Sequence, residues 1–294
     1  MPNDKKNPAG GTMRIMALID GSIYTASVCD HAAWAAGRTG AALELMHVIG
    51  RRETGSTPAN LSGSLSLGAR STLLSELAAM DEARGKLAQS RGRAILEAAA
   101  EHLAAAGVSA NTRMRIGDLL GEVGTVQGDF DLLVIGKRGE AADFATMHLG
   151  SNIERVLRAA ETPVLVASRA FRPVEKVVLA FDGSASSGRA VKAVAADPLY
   201  KGLAVRLLTV GDGTPAARER LERARDTLLA SGLSATADIE PGEPEAVIAA
   251  AVDDGAADLL VMGSHGHSRV RHLLIGSATT ALVRSCLVPI MIYR

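Results

Sequence analysis

Residues 258 to 280 read Asp-Leu-Leu-Val-Met-Gly-Ser-His-Gly-His-Ser-Arg-Val-Arg-His-Leu-Leu-Ile-Gly-Ser-Ala-Thr-Thr. A short apolar run ends at Gly263, a glycine-containing loop follows, and Gly276-Ser277 opens a helical segment. A brief, continuously apolar run bounded by glycine reads as a buried strand. A strand that leads through a loop into a helix is the building step of a parallel sheet.

The same phrase occurs earlier in the chain. Asp131-Leu-Leu-Val-Ile-Gly136 echoes Asp258-Leu-Leu-Val-Met-Gly263, and Arg14-Ile-Met-Ala-Leu-Ile-Asp-Gly-Ser22 echoes Lys176-Val-Val-Leu-Ala-Phe-Asp-Gly-Ser184. Thr162-Pro-Val-Leu-Val166 echoes Val288-Pro-Ile-Met-Ile292. Self-similarity of this kind marks duplicated units. Asp20 and Asp182 lie 162 residues apart, but Gly136 and Gly263 only 127, so the first half holds 35 extra residues. The Ser/Gly/Leu-rich stretch at about 51–85, running into a long helix, accounts for them, either as a flap packed on its own domain or as a lid or partner surface; the flap is the expected reading. Phe171-Arg-Pro173 breaks the apolar pattern and divides the chain into units at 12–170 and 174–294.

Strands and helices alternate in both halves. In the second, strands are expected over 175–181, 204–210, 234–239, 258–262 and 288–293, with helices near 185–197, 215–230, 243–253 and 278–284. Pro215 suits a first helical turn, and Gly232 suits a helix stop. Such alternation implies right-handed crossovers. The fold class is α/β: two tandem open parallel five-stranded sheets with helices on both faces, Rossmann-like. Ligands of such sheets bind beyond the carboxyl ends of the strands, where Asp20, Asp182 and both glycine loops fall.

Composition agrees and excludes several classes. Apolar residues make up 47% and aromatics 3% of the 294 residues, which suits Ala-rich helices on a parallel sheet. Basic and acidic residues balance at 32 each, leaving no overall positive field for nucleic acid or an anionic membrane surface. Cys29 and Cys286 stand far apart and read as free thiols in a reducing compartment. The polar segment Met1–Gly11 is no signal peptide, and no apolar run reaches the roughly 18 residues of a membrane span. A cytoplasmic protein is expected.

The loop at 263–280 has the chemistry of an anion site. Glycines allow close backbone approach, successive N–H groups can form a nest, and the following helix offers its unpaired N–H groups and positive dipole end. Arg269, Arg271, His265 and His267 are donors or cations, and no Asp or Glu lies between Gly263 and Thr280. A triphosphate therefore meets no local repulsion.

The spacing Gly263-x2-Gly266-x9-Gly276-Ser277 resembles the ATP-binding signature of the universal stress protein family, and the resemblance covers both halves apart from the insert and the N-terminal tail. It implies an adenine-nucleotide site, taking ATP with or without Mg2+, in which Asp182 contacts the nucleoside, Val210 contacts adenine through its backbone, and Gly263, His265, Gly266, Gly276, Ser277 and Ala278 hold phosphates. In the first half Gly136-Lys137-Arg138-Gly139 is followed by ten residues rather than nine before Gly150-Ser151, and Glu140 and Asp143 sit in the loop. Asp20 and Val48 still match the nucleoside positions. Two readings stand there: a second site, or a degenerate scaffold. The resemblance also implies that the closing strands pair, here within one chain as a pseudo-dimer that hides both edges; a homodimer and a protein partner are compatible with it. A role in surviving stress is implied by the resemblance alone.

Other signals carry less. Gly183-Ser-Ala-Ser-Ser-Gly188 has a P-loop's glycine spacing but lacks its Lys and Ser/Thr, and Gly211-Asp-Gly213 lacks the third glycine of a dinucleotide fingerprint. His265, His267 and His272 fit no standard metal spacing. No carboxylate base stands near the loop, and phosphoryl transfer needs one and a well-held metal ion. No catalytic residue is assigned. The expectation is an ATP-binding regulatory protein with at most slow hydrolysis, and the alternative is a scaffold in which nucleotide is absent or incidental.

Overall fold

Short apolar runs at each repeat become the central strands. The structure is a computed structural model, and it describes residues 12–50, 53, 67–137, 151–253, 255–264 and 276–294. The first half contains β1 (Arg14–Leu18), α1 (Thr25–Thr39), β2 (Ala42–Gly50), α2 (Leu67–Ala105), β3 (Ala110–Gly117), α3 (Leu119–Val126), β4 (Leu132–Gly136), α4 (Ser151–Ala159) and β5 (Val164–Ala167). The second contains β6 (Lys176–Ala180), α5 (Ala185–Ala196), β7 (Ala204–Val210), α6 (Pro215–Ala230), β8 (Ser234–Glu240), α7 (Pro244–Val252), β9 (Leu259–Gly263), α8 (Ser277–Ser285) and β10 (Ile290–Tyr293).

Local chemistry sets the boundaries. Thr214 caps α6 by accepting the Ala217 N–H at 3.2 Å, with Pro215 in the first turn, and Gly232 follows the helix at a φ of 84°. The last strand begins two residues later than its apolar run, because Pro289 has no N–H to give the ladder.

Each half is a five-stranded parallel sheet, and the two join into one ten-stranded sheet of order β3-β2-β1-β4-β5-β10-β9-β6-β7-β8. The join is the one antiparallel step: Val164, Leu165 and Val166 face Ile292, Met291 and Ile290. All six are buried. Each half would otherwise present a bare apolar edge, which invites aggregation. The intramolecular pairing expected from the repeated closing strands is present.

Alternation along each strand feeds two cores. Ile15 and Ala17 pack with α1, α2, α5 and α6, whereas Met16 and Leu18 pack with α3, α4, α7 and α8. Both cores run through both halves without a break. Cys29 and Cys286 are buried free thiols, and burial pushes Cys29 up to about 12 and raises Cys286. Neither is a reactive thiolate.

The connection between halves is latched to α1. The Ser27 hydroxyl donates to the Ser168 carbonyl at 2.7 Å, the His31 Nδ1 lies 2.6 Å from the Ser27 carbonyl, and the His31 ring meets Phe171 edge-on at 5.0 Å. His31 is 1% exposed, and its Nε2 has no hydrogen-bond partner among the described residues. Burial depresses its pKa, against the opposing pull of the Ser27 carbonyl and of Asp30, which itself pairs with His102 at 2.6 Å.

Two outcomes follow. Leu165→Ala removes a fully buried seam side chain and should lower stability by about 2–5 kcal/mol in urea unfolding. Unfolded His31 takes up its proton near the ordinary value of about 6.5, and folded His31 only at lower pH. Stability is therefore full above that value and falls as pH drops below it; His31→Phe should flatten this part of the pH profile in thermal melts.

Candidate functional site

The candidate site is built where β6, β7 and β9 end. At the end of β6 the chain turns through Gly183, whose φ of 73° is a left-handed conformation that glycine adopts without strain. Ser184 N–H then reaches back to Asp182 Oδ1 at 2.9 Å, and the Ser187 hydroxyl donates to the same oxygen at 2.7 Å. Ser184 caps α5 by accepting the Ser187 N–H at 3.3 Å. The Asp182 carboxylate is thereby oriented by its own turn and by the first turn of α5, and it remains exposed at the rim of the strands. The preceding residue is fixed from β7: Phe181 N–H donates to the Leu208 carbonyl at 2.9 Å, and Thr209 Oγ1 donates to the Phe181 carbonyl at 2.7 Å.

Val210 is the last residue of β7, opposite Glu240. Gly211 follows with a φ of 138° and donates its N–H to the Glu240 carbonyl at 2.9 Å, so the strand stops and the chain swings away toward Thr214.

Gly263 ends β9 beneath the start of α5. A Cβ added there would lie 2.7 Å from the backbone carbon of Ser186, so glycine is demanded by helix–strand packing. Ser264 N–H donates to the Tyr293 carbonyl at 2.8 Å, and Ser264's own carbonyl accepts the Gly276 N–H at 3.4 Å. The two ends of the intervening loop are thus tied together, which fixes the N-terminus of α8 at the carboxyl end of β9. Gly276 is the N-cap of α8 and offers no side-chain cap, and Ser277 is exposed. The first-turn N–H groups, those of Ser277 and Ala278 among them, have no intrahelical carbonyl to bond. His265, Gly266 and the arginines of the loop lie outside the described residues, as do Gly139 and Gly150.

Two residues not found from the sequence join this rim. Arg220 Nε lies 2.9 Å from the position a Gly183 Cβ would take, and an Arg218 guanidinium nitrogen lies at the same distance from that of Gly213. Both belong to α6, whose polar face gives no hint of where it crosses the turns. Only the packing of α6 on β8 and α5 brings them there.

The first half repeats the scaffold and alters the details. Gly21 has a φ of 76°, Ser22 N–H donates to Asp20 Oδ1 at 3.0 Å, and His47 Nδ1 sits 2.8 Å from the Ile19 carbonyl, in the place of Thr209. Thr25 stands where Ser187 does, but its hydroxyl is buried without a partner among the described residues, and α1 has no side-chain cap. Val48 does not end its strand: β2 keeps pairing with β3 through Ile49 and Gly50. Gly136 ends β4, and Ser151 begins α4. Lys137, beside Gly136, donates its ammonium to the Cys286 carbonyl of the other half.

A groove of about 720 Å³ lined by residues including Trp34, Phe171 and Lys176 belongs to the junction of the two halves and includes none of the candidate residues. Among the described residues no cluster of His, Cys, Asp or Glu could hold a metal ion, and no helix is long and apolar enough to cross a membrane.

Comparison with known proteins gives a consistent result. The universal stress protein family profile matches residues 11–168 and again 173–294. A universal stress protein of Synechocystis sp. is 35% identical over 284 residues, 95% of this chain and 99% of that protein. The crystal structure of a universal stress protein from Archaeoglobus fulgidus DSM 4304 superposes with a TM-score of 0.70 at 20% identity, covering 95% of each chain. A putative universal stress protein from Pseudomonas aeruginosa UCBPP-PA14 superposes at 0.60 with 17% identity, over 96% of this chain and 93% of that one.

Because Gly263 lies under the first turn of α5, Gly263→Ala should cost about 1–3 kcal/mol of stability, the usual penalty of overpacking. Chemical denaturation of the purified variant measures it.

Proposed function

This chain belongs to the universal stress protein family, and from that premise we propose that it is a stress-response regulator that binds an adenine nucleotide, ATP by preference, at the second of two units spanning 12–170 and 174–294. The observation that carries the reading is the Gly276 N–H to Ser264 carbonyl bond. It ties the two ends of a stretch whose sequence is free of acids to an uncapped helix N-terminus, and that combination suits a polyphosphate.

In this proposal the N–H groups of Ser277 and Ala278 and the Ser277 hydroxyl bind phosphate oxygens, with Gly276 letting the phosphate approach the helix N-terminus closely and Gly263, His265 and Gly266 completing the phosphate site. The oriented Asp182 carboxylate accepts from the ribose, and the backbone of Val210 meets adenine. Arg220 and Arg218 flank the turns on the same rim and add positive charge for phosphate. Mg2+, if taken up, is held mainly by the phosphates. Asp182 already accepts two hydrogen bonds through one oxygen and is committed to positioning. No carboxylate is assigned as a base, so the site works by occupancy, with slow hydrolysis at most. A cytoplasmic location belongs to the same proposal.

The first unit is assigned no nucleotide. Val48 lies within a strand that continues two residues further, and Lys137 is drawn to the opposite half. The scaffold reading has one observation in its favour: packing against Ser186 alone requires glycine at 263.

Mass spectrometry of small molecules released from the denatured protein, with calorimetric titration of ATP and Mg2+, tests this. The expected result is about one nucleotide per chain. Gly276→Val with Ser277→Ala should weaken binding at least tenfold, or about 1.4 kcal/mol. Absence of both retained nucleotide and calorimetric binding would favour the scaffold.

A further inference from the structure

The two units differ in what covers the glycine of the turn after their first strand. In the first, Ile95 of α2 lies on Gly21, where a Cβ would meet its Cδ1 at 2.7 Å. In the second, Arg220 of α6 takes that place over Gly183, with Nε 2.9 Å, Cδ 3.5 Å and Cζ 3.8 Å from the position of a Cβ. The two glycines have closely similar φ values, 76° and 73°. An apolar cover therefore satisfies this turn, and the fold itself does not call for a guanidinium there.

Arg220 is also uncommitted. On the same helix Arg223 pairs with Glu219 at 2.6 Å, and Arg225 pairs with Glu222 at 2.6 Å and with Asp226 at 3.0 Å. Arg220 is exposed and makes no hydrogen bond or ion pair among the described residues. Its side chain rests on bare backbone, at the residue that follows Asp182. A guanidinium is planar and always charged, and it grips a phosphate through two parallel N–H bonds.

The direction of approach narrows the ligand. Leu221, Ala224 and Leu228 seat α6 in one core, and Leu282 and Val283 seat α8 in the other, on the opposite face of the sheet. With the 5′-phosphates at the N-terminus of α8 and the ribose at Asp182, as proposed above, Arg220 stands on the far side of the ribose. That side is the edge with the 2′- and 3′-hydroxyls. The rim there is mixed rather than basic: Asp182 adjoins Gly183, and the exposed Asp212 adjoins Gly213, on which Arg218 lies. A group that suits it offers a hydrogen-bond donor as well as an anion. A ribose with one hydroxyl free and the other phosphorylated offers both. Dinucleotide sites divide the work in the same way, an acid for the free hydroxyl and an arginine for the phosphate. We propose that the second unit takes adenine nucleotides that carry a phosphate on the ribose, at the 2′ or 3′ oxygen, besides the 5′-phosphate, and that Arg220 reads it. The inference rests on the nucleotide reading of the second unit.

Calorimetric titration of the full chain with ADP, adenosine 2′,5′-bisphosphate and adenosine 3′,5′-bisphosphate tests it, because the three are isomers with equal numbers of phosphates. One of the two bisphosphates should bind about tenfold more tightly than ADP, the scale of a hydrogen bond to a charged group, and which one does so identifies the oxygen. Arg220→Ile, which installs the residue type that covers Gly21, should bring that ratio to about one, and Arg220→Lys should keep part of it. Arg223→Ile removes the same charge from the same helix and should leave the ratio as in the wild type. Thermal melts of the variants check that each is folded. A wild type that binds ADP but prefers neither bisphosphate, or a preference that survives Arg220→Ile, overturns this proposal alone. If neither ATP nor any of the three isomers binds, the nucleotide reading falls and this proposal with it.

Discussion

Everything else in the molecule hangs on three antiparallel residue pairs, Val164 with Ile292, Leu165 with Met291 and Val166 with Ile290. Each closing strand is too short and too apolar to face water as an edge. Pairing them turns two five-stranded sheets into one and makes each core continuous across the seam. The cost is geometric: both halves must present their closing strands at matching height, and this fixes where the neighbouring helices lie.

Those helices, α4 and α8, follow the two glycine stretches in the sequence, and their C-terminal ends are held across the seam. The carbonyl of Ala160, just beyond α4, accepts from the Arg294 guanidinium at 2.6 Å. The matching carbonyl of Cys286, just beyond α8, accepts from Lys137. A cation at a helix C-terminus opposes the negative dipole end and contributes about 0.3–1 kcal/mol when exposed. Arg284 of α8 also meets Glu154 of α4 at 2.9 Å, a surface pair worth at most about 1 kcal/mol. The individual terms are small, but both signature helices are referenced to the opposite half. One cation of the first glycine loop, Lys137, is engaged there.

The two halves therefore share one scaffold and differ in its finish. Each ends its first strand in Asp-Gly-Ser with the carboxylate turned by the serine N–H, and each fixes the residue before the Asp from the second strand, by Thr209 in one half and by His47 in the other. The finish is complete in the second half, where Ser187 adds a second bond to Asp182 and β7 stops at Val210. In the first half Thr25 makes no such bond and β2 continues past Val48.

The sequence by itself determined what is local or repeated. Apolar runs ending in glycine at 136 and 263 marked β4 and β9, Pro215 marked the start of α6, and the echo of 162–166 in 288–292 marked the paired closing strands. Backbone propensity, capping and strand period act over a few residues and are written in order along the chain. The tertiary structure alone decided the rest. It brought Arg220 to Gly183, set Ser186 against Gly263, joined Lys137 to a carbonyl 149 residues away, and left Met80 and Leu87 in solvent. Those contacts depend on how helices cross a twisted sheet and on where a seam of six side chains lets two halves meet. No periodicity encodes a crossing point, so such residues become visible only when the layers are packed.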